Sequence, residues 1–165
     1  MKYRRLTKEE LQQLQQEFVR YLASQSIPAS EWVSMKARGD QKVDHFIEHF
    51  SDMIFERVLS NVNYLEKKTK NEWHFYKVSD ESIKLNGLRL SGNKEIDFRK
   101  SEELDLKRLY LEYGGDLALF SAEKGFQKEK NKEIFALLEA GCLIQKNGEL
   151  YELLEQLKTT PDHQD

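Results

Sequence analysis

The sequence is poor in the residues that define several protein classes. Its 165 residues contain two prolines, eight glycines and a single cysteine, Cys142. Such a composition excludes collagen-like chains and proline-rich linkers. One cysteine excludes an internal disulfide and a thiol-rich zinc ribbon. A lone thiol is typical of a reducing compartment, so we expect a cytoplasmic protein.

Long apolar segments and a strong net charge are also missing. No apolar run reaches the length that crosses a bilayer, and the basic start of the chain is followed by charged residues where a secretion signal has its apolar core. We therefore expect no membrane partner. The formal net charge of −3 gives the chain as a whole no electrostatic attraction to nucleic acid or to anionic lipid.

Aromatic residues are numerous enough to form a core, with nine Phe, seven Tyr and two Trp. In the first part of the chain, apolar residues recur at helical spacing. Thr7 followed by Glu10 predicts a capping box at the start of the first helix. The longest predicted helix covers residues 41–66, and its apolar arc spans about 200°.

The middle third of the chain predicts a small antiparallel sheet. Aromatic and β-branched residues over 73–78 indicate a strand. Asn86-Gly87, between two alternating apolar segments, predicts a tight hairpin turn because this dipeptide readily adopts the positive φ angles of such turns. Residues 96–98 are predicted to add a further strand.

Helical patterns return toward the C-terminus. Residues 101–113 fit both a helix and a strand, and both interpretations stay open. We predict a short helix from Asp116 toward Gly125, a longer one over 127–140 and a last one after Asn147. The elements together predict a single α+β domain over residues 1–158, with N-terminal helices, a small antiparallel sheet in the middle and C-terminal helices packed against it. Residues 159–165 are predicted to form a disordered tail.

The most specific chemical motif is His45-Phe46-Ile47-Glu48-His49, within the long helix. It matches the H-x-x-E-H pattern of the inverted zinc peptidases. Two histidines four residues apart share a helix face and can bind one zinc ion, with Asp52 as a further ligand. One accidental match is ordinary when many patterns are scanned, and the histidines lie opposite the apolar arc. A solvated polar strip is the favoured interpretation. The alternative is a metal-binding or metal-dependent hydrolytic protein with a zinc site of His45, His49 and Asp52.

A second candidate site is aromatic. Trp73 and Phe75 point to the same face of the predicted strand, and aromatic strand faces can stack nucleic-acid bases. Burial beneath helices is the more common role of such residues. The last helix carries several glutamates that would repel phosphate groups. Nucleic acid is therefore a disfavoured partner and stands as the second alternative.

Three segments carry a family resemblance: residues 1–11, Phe50-Ser51-Asp52 and Tyr64-Leu65-Glu66. They resemble a family of short uncharacterised bacterial proteins, a domain of unknown function. The resemblance covers mainly residues 1–66. It implies a bacterial cytosolic protein formed by essentially one domain, and it supplies no catalytic or binding residue.

The favoured function is that of a small non-enzymatic binding or scaffold protein, which acts through a protein partner or through a second copy of itself. The wide apolar arc of the long helix needs cover, and an uncovered apolar patch favours association. Its edges predict the interface of a homodimer, with Met53 on one side and Phe55 and Val62 on the other. No cofactor is expected, zinc in the alternative above excepted.

Overall fold

The computed structural model describes residues 1–91, 97–100 and 106–159. Within these ranges the chain forms seven α-helices and five β-strands, distributed over two compact units, Met1–Asn61 and Val62–Asp165. The predicted order is confirmed: N-terminal helices precede an antiparallel sheet, and a C-terminal helix packs on that sheet. The protein is therefore of the α+β class. The single-domain organisation of residues 1–158 stays a prediction, and residues 160–165 of the predicted tail lie outside the described ranges.

The first unit contains four helices. Their bounds are α1 (Lys8–Gln13), α2 (Gln15–Ser24), α3 (Ala29–Ala37) and α4 (Lys42–Leu59). The predicted capping box is confirmed, since Thr7 Oγ1 accepts a hydrogen bond from the Glu10 N–H and the Glu10 carboxylate accepts one from the Thr7 N–H. The predicted first helix is interrupted at Leu14, which separates α1 from α2.

Aromatic rings form the core of the first unit. Phe50 of α4 is fully buried, and its ring centroid lies 4.9 Å from that of Phe18 and 5.3 Å from that of Tyr21, both in α2. One turn earlier on the same face of α4, the Phe46 ring centroid lies 6.4 Å from that of Trp32 in α3. Two helices of its own unit thus cover this part of the apolar arc of α4, whereas Met53 and Val58 remain exposed.

The predicted helix over residues 41–66 is too long. Helix α4 ends at Leu59, and Tyr64–Lys68 form strand β1. Asn61 lies at the end of the helix, where its side-chain amide donates to the Arg57 carbonyl at 2.7 Å. Strand β1 pairs on both sides, which satisfies its backbone groups in a sheet. In β1 the side chains alternate between the two faces of the sheet, and Leu65 is on the buried face. The same residue also fits the helical spacing of α4, and for this reason the sequence predicts a helix that continues to residue 66.

The second unit is built on a five-stranded antiparallel sheet in the order β4-β3-β2-β1-β5. After β1, the remaining strands are β2 (Glu72–Val78), β3 (Ser82–Leu90), β4 (Leu117–Gly125) and β5 (Leu143–Gln145). The helices of this unit are α5 (Leu106–Tyr113), α6 (Lys130–Glu139) and α7 (Glu149–Thr159). Strands β4 and β5 therefore form the two edges of the sheet.

Asn86-Gly87 does not form the predicted hairpin turn. Both residues lie inside β3, which runs without interruption from Ser82 to Leu90. The turn that joins β2 to β3 lies earlier, where the Ser79 N–H donates to the Ser82 carbonyl at 2.9 Å. At Gly87 the ring of Phe120 occupies the space that a Cβ atom would take, so a larger residue would displace that ring.

The remaining differences concern short segments. Leu106–Tyr113, left open between helix and strand, form a helix. Leu117–Gly125, predicted as a helix from Asp116, form strand β4, because their apolar residues pair along the full length of β3. Phe98 lies in a short 3-10 helix, Phe98–Lys100, and Ile96 lies outside the described residues. The predicted helices over 127–140 and after Asn147 are confirmed as α6 and α7.

The main core of the second unit lies between the sheet and its helices. Tyr151 and Leu154 of α7 pack with Trp73, Phe75 and Leu88 of the sheet, together with Phe98 and Leu109 of the segment between β3 and β4. This arrangement covers one face of the sheet and positions the surface described next. Among the described residues, no helix has the length and the apolar character needed to span a bilayer.

Candidate functional site

A groove of about 400 Å³ opens on the second unit between α5, α7 and the strands β3 and β4. We call it the leucine groove. It is lined by seven leucines and one tyrosine: Leu88, Tyr110, Leu111, Leu117, Leu119, Leu153, Leu154 and Leu157. A concave surface of this composition has no charged group with which to hold a metal ion or an anion, so it suits an apolar ligand.

Each wall of the groove comes from a different element. Leu88 of β3 and Leu154 of α7 are buried and form its floor. Leu117 and Leu119 alternate along β4 and point to the same side of the sheet. On α5, Leu109 turns into the core, and the following two residues, Tyr110 and Leu111, lie on the outer side.

The rim of the leucine groove is unusually exposed for its composition. Leu111 is 85% exposed and Tyr110 is 64% exposed, while Leu119 and Leu157 are each more than two-fifths exposed. Full burial of one leucine side chain is worth about 1.5–3 kcal/mol. A partner that covers this rim would therefore gain substantial free energy, and contiguous exposed apolar patches are typical of interaction sites.

The leucine groove adjoins the long edge of the sheet. Strand β4 has nine residues, and its outer edge pairs with no strand among the described residues. The opposite edge strand, β5, has only three residues. Since an edge strand presents unpaired backbone N–H and C=O groups, β4 offers hydrogen bonds directly beside an apolar surface.

The histidine motif lies on the exposed side of α4. His45 and His49 are both exposed, their rings are nearly parallel, and the ring centroids lie 6.5 Å apart. His49 Nδ1 lies 2.8 Å from the Tyr21 hydroxyl oxygen. Across residues 1–91, 97–100 and 106–159, no group of three His, Cys, Asp or Glu side chains is placed to hold a metal ion. The structure does not bring His45, His49 and Asp52 together as a zinc site.

Asp52 has another role, which is to hold the N-terminal segment against α4. Its Oδ2 accepts a hydrogen bond from the Lys2 N–H at 2.7 Å, and its Oδ1 accepts one from the Tyr3 N–H at 3.0 Å. One turn further along α4, the Glu56 carboxylate accepts a hydrogen bond from the Tyr3 hydroxyl at 2.8 Å. Acidic residues that the sequence places on a polar strip of α4 thus bind the first residues of the chain.

Trp73 and Phe75 do lie on one face of β2, but that face is the covered one. Each side chain is almost completely buried in the core beneath α7, and the Trp73 indole N–H donates to Glu66 at 2.6 Å. Rings in this position have no accessible surface on which a nucleic-acid base could stack.

The three residues predicted for a dimer interface are in different environments. Met53 is exposed, and Phe55 is half-buried, with its ring 5.7 Å from that of Tyr3. Val62 belongs to the second unit and is buried there. The structure therefore places one of the three residues, Met53, on the open surface.

A polar network that the sequence did not reveal lies on the other face of β2. His74 Nε2 lies 2.7 Å from a Glu72 carboxylate oxygen, and its Nδ1 lies 3.2 Å from the Tyr76 hydroxyl. Arg89 of β3 donates to the same Glu72 at 2.6 Å. The spacing of Glu72, His74 and Tyr76 by two residues is the signal that places them on one strand face.

This network does not contain an activated nucleophile. Burial raises the pKa of Tyr76 to about 12, with smaller contributions from Cys142 and Glu72. Burial also raises the pKa of the Cys142 thiol. The hydrogen bond with His74 lowers the pKa of Glu72. The Tyr76 hydroxyl and the Cys142 thiol, the two groups that could attack a substrate, thus hold their protons at neutral pH. The role of the network is to join two strands through hydrogen bonds.

These features define an α+β protein with a leucine-lined groove beside a long edge strand. The chain matches the model of a family of unknown function, DUF6495, over residues 1–159, and it belongs to that family. The match confirms the resemblance noted in the sequence and extends well beyond residues 1–66. No curated protein and no solved structure matches the chain.

Proposed function

We propose that this protein is a small, non-enzymatic binding protein that recognises a protein partner through the leucine groove. The observation that carries the proposal is the exposed rim of the groove, where Tyr110 and Leu111 remain open to solvent beside a floor of buried leucines. The matching chemistry is a segment that carries several apolar side chains. Such a segment would exclude water from the rim without the need for a charged contact.

We also assign the protein to the bacterial cytoplasm, as the sequence leads us to expect. The support is the state of Cys142, which is buried and unpaired and whose thiol pKa is raised by its burial. A free thiol of this kind is compatible with a reducing compartment. The expected bacterial origin comes from the family resemblance alone.

Peptide selection tests the proposed groove and defines the chemistry that it binds. Random dodecapeptides displayed on phage would be selected on the immobilised full chain, and the tightest peptide would be synthesised and titrated by calorimetry. We expect selected peptides rich in Leu, Ile, Phe and Met. We also expect Leu111→Gln to weaken binding at least about tenfold, because it places an amide on the rim that the peptide covers.

Leu143→Gln is the matched control. Leu143 is also a leucine of the second unit, it is 66% exposed, and it lies on the opposite sheet edge, outside the groove. The peptide should bind this variant with unchanged affinity. Circular dichroism would verify that both variants are folded. Equal losses in the two variants, or selection without any apolar preference, would contradict the assignment of the groove.

A further inference from the structure

The outer edge of β4 is the longer of the two sheet edges. Strand β4 spans Leu117–Gly125 and pairs with β3 over its full length. Its other side pairs with no strand in the described part of the chain. Most of its residues are exposed, including Ala118, Leu119 and Ala122.

This edge lacks the usual protection in its first two-thirds. Residues 117–122 read Leu-Ala-Leu-Phe-Ser-Ala and contain neither a charge nor a proline. Proteins usually protect edge strands with charged side chains, with proline or by making the strand very short. Strand β5, the opposite edge, is short. A long, uncharged edge is a template for pairing with another strand. In a native protein, such an edge is typical of a strand that pairs with one specific partner strand.

We infer that the partner is β4 of a second copy of this chain, which pairs antiparallel to the first across a two-fold axis centred on Phe120. The pairing would join two five-stranded sheets into one continuous sheet. It goes beyond the proposed function, because it uses the backbone edge and does not require another protein in the leucine groove. Self-pairing is isologous, so one self-complementary strand forms the whole interface.

The register centred on Phe120 is compatible with the charges at both ends of the strand. With Phe120 on the axis, Ala118 lies opposite Ala122 of the second copy, and Asp116 lies opposite Lys124 at each end. The Asp116 carbonyl accepts a hydrogen bond from the Ser91 N–H at 2.7 Å, so the chain is already aligned beside β3 at that position. No like charges face each other in this register. Lys124 keeps its ion pair with Glu133 of its own chain at 2.7 Å, so Asp116 of the second copy would approach a lysine that is already paired.

The side chains near the axis are also compatible with a second copy. Phe120 is half-buried against its own sheet, with the Arg89 guanidinium 5.1 Å from its ring centroid. In the dimer its exposed edge would contact Phe120 of the second copy. Leu119 would lie opposite Ser121 on the face that carries the leucine groove. Because both strands exist before they associate, the pairing does not have to order a flexible peptide.

Sedimentation velocity on the full chain tests the inference. We expect wild-type protein to sediment as a dimer at tens of micromolar. Ala118→Glu/Ala122→Glu places carboxylates opposite each other twice across the axis and should raise the dimer dissociation constant at least about tenfold. Ala118→Glu/Ala122→Lys changes the same two exposed positions but pairs opposite charges, and it should restore the dimer. Glutamate at position 118 also lies beside Arg89 of its own sheet, which offers the new carboxylate an opposite charge within one chain.

Three results would overturn the inference: a monomeric wild type, a double-glutamate variant that still dimerises, or a charge-swapped variant that stays monomeric. Should the double-glutamate variant fail to fold, hydrogen exchange on the wild type provides an independent test. The alternate amides of residues 117–124 that point away from β3 should be protected at high protein concentration and less protected on dilution, and equal protection would reject the dimer. The selected peptide should still bind a monomeric double-glutamate variant, so failure of the dimer and failure of the groove are distinguishable.

Discussion

Asn86 joins the C-terminal helix to the sheet, and its replacement tests how far this junction stabilises the second unit. Its side chain is 2% exposed. The amide nitrogen donates to the Glu155 carboxylate at 2.7 Å and to the Tyr151 carbonyl at 3.3 Å. The amide oxygen accepts from Lys158 Nζ at 2.7 Å and from Ser121 Oγ at 3.2 Å. All four hydrogen bonds end on α7 or β4.

The expected cost of Asn86→Ala follows from these partners. A hydrogen bond to a charged group contributes about 1.5–3 kcal/mol, and Asn86 makes two of them. Part of this contribution is recovered in the variant, because Glu155 and Lys158 keep their mutual ion pair at 2.8 Å and are partly exposed to water. We therefore expect Asn86→Ala to lower the free energy of unfolding by about 2–4 kcal/mol.

Asn86→Asp makes the same junction sensitive to pH. It keeps the size of the side chain but places a second carboxylate beside that of Glu155, whose pKa is lowered in the wild type by Lys158 and by Asn86 itself. Burial and the repulsion from Glu155 raise the pKa of the new carboxylate in the folded state. Lys158 opposes this change, but its charge is already paired with Glu155. The folded state then binds protons more tightly than the unfolded state, so the variant should regain stability as the pH falls from 7 toward 4.

Urea denaturation monitored by tryptophan fluorescence provides the measurement. Trp32 lies in the first unit and Trp73 in the second, so a Trp32→Phe background leaves Trp73 as the reporter of the second unit. Asn71→Ala, at an exposed asparagine of the same unit, is the control and should change stability by less than about 0.5 kcal/mol. A loss below about 0.5 kcal/mol for Asn86→Ala, or an Asn86→Asp variant whose deficit is independent of pH, would refute the reasoning.

Three further predictions address other contacts. Gly87→Ala should cost about 1–3 kcal/mol, because the Phe120 ring must move to admit the new methyl group, whereas Gly115→Ala, with open space around it, should be neutral; comparable urea midpoints would contradict this. Asp52→Ala should cost about 1–3 kcal/mol through the loss of two hydrogen bonds to the N-terminal segment, which calorimetric melting would detect. The ion pair with Lys124 and two backbone N–H groups hold the pKa of Glu133 at about 2, below its usual 4.5. The stability that the Glu133 charge contributes is therefore present above pH 4.5 and is lost as the pH falls toward 2. The difference in melting temperature between wild type and Glu133→Gln should shrink over that interval, and a constant difference would disprove the effect.

Local sequence signals predicted the helical elements well. The capping box of Thr7 and Glu10 and the apolar spacing of α2, α6 and α7 depend on residues within a few positions of one another, and the structure confirms them. The same signals were ambiguous where two periods coincide. Residues 62–66 fit the end of a long helix as well as a strand, and pairing with β2 and β5 decides between them.

Asn86-Gly87 shows a different limit of local reasoning. The dipeptide has a strong intrinsic preference for hairpin turns, yet both residues are used inside a strand. Asn86 meets partners 35 to 72 residues away in the chain, and Gly87 accommodates the ring of Phe120. The four hydrogen bonds that buried Asn86 forms stabilise the strand by more free energy than the turn preference of the dipeptide opposes. A sequence pattern that spans a few residues contains no information about these distant partners.

The leucine groove could not be predicted from the spacing of apolar residues, for a related reason. Leu150, Leu153, Leu154 and Leu157 form one apolar stripe of α7, and the stripe predicts a single buried face. In the structure Leu154 is fully buried against the sheet, whereas Leu157 lies on the rim of the leucine groove and is exposed. Covered and uncovered parts of an apolar stripe have the same spacing; they differ only in whether a neighbouring element reaches them. Here the neighbours are α5, which fits two periods, and β4, which the sequence predicts as a helix. The groove exists where these two elements leave the stripe open, so it follows from tertiary arrangement and not from the pattern of α7.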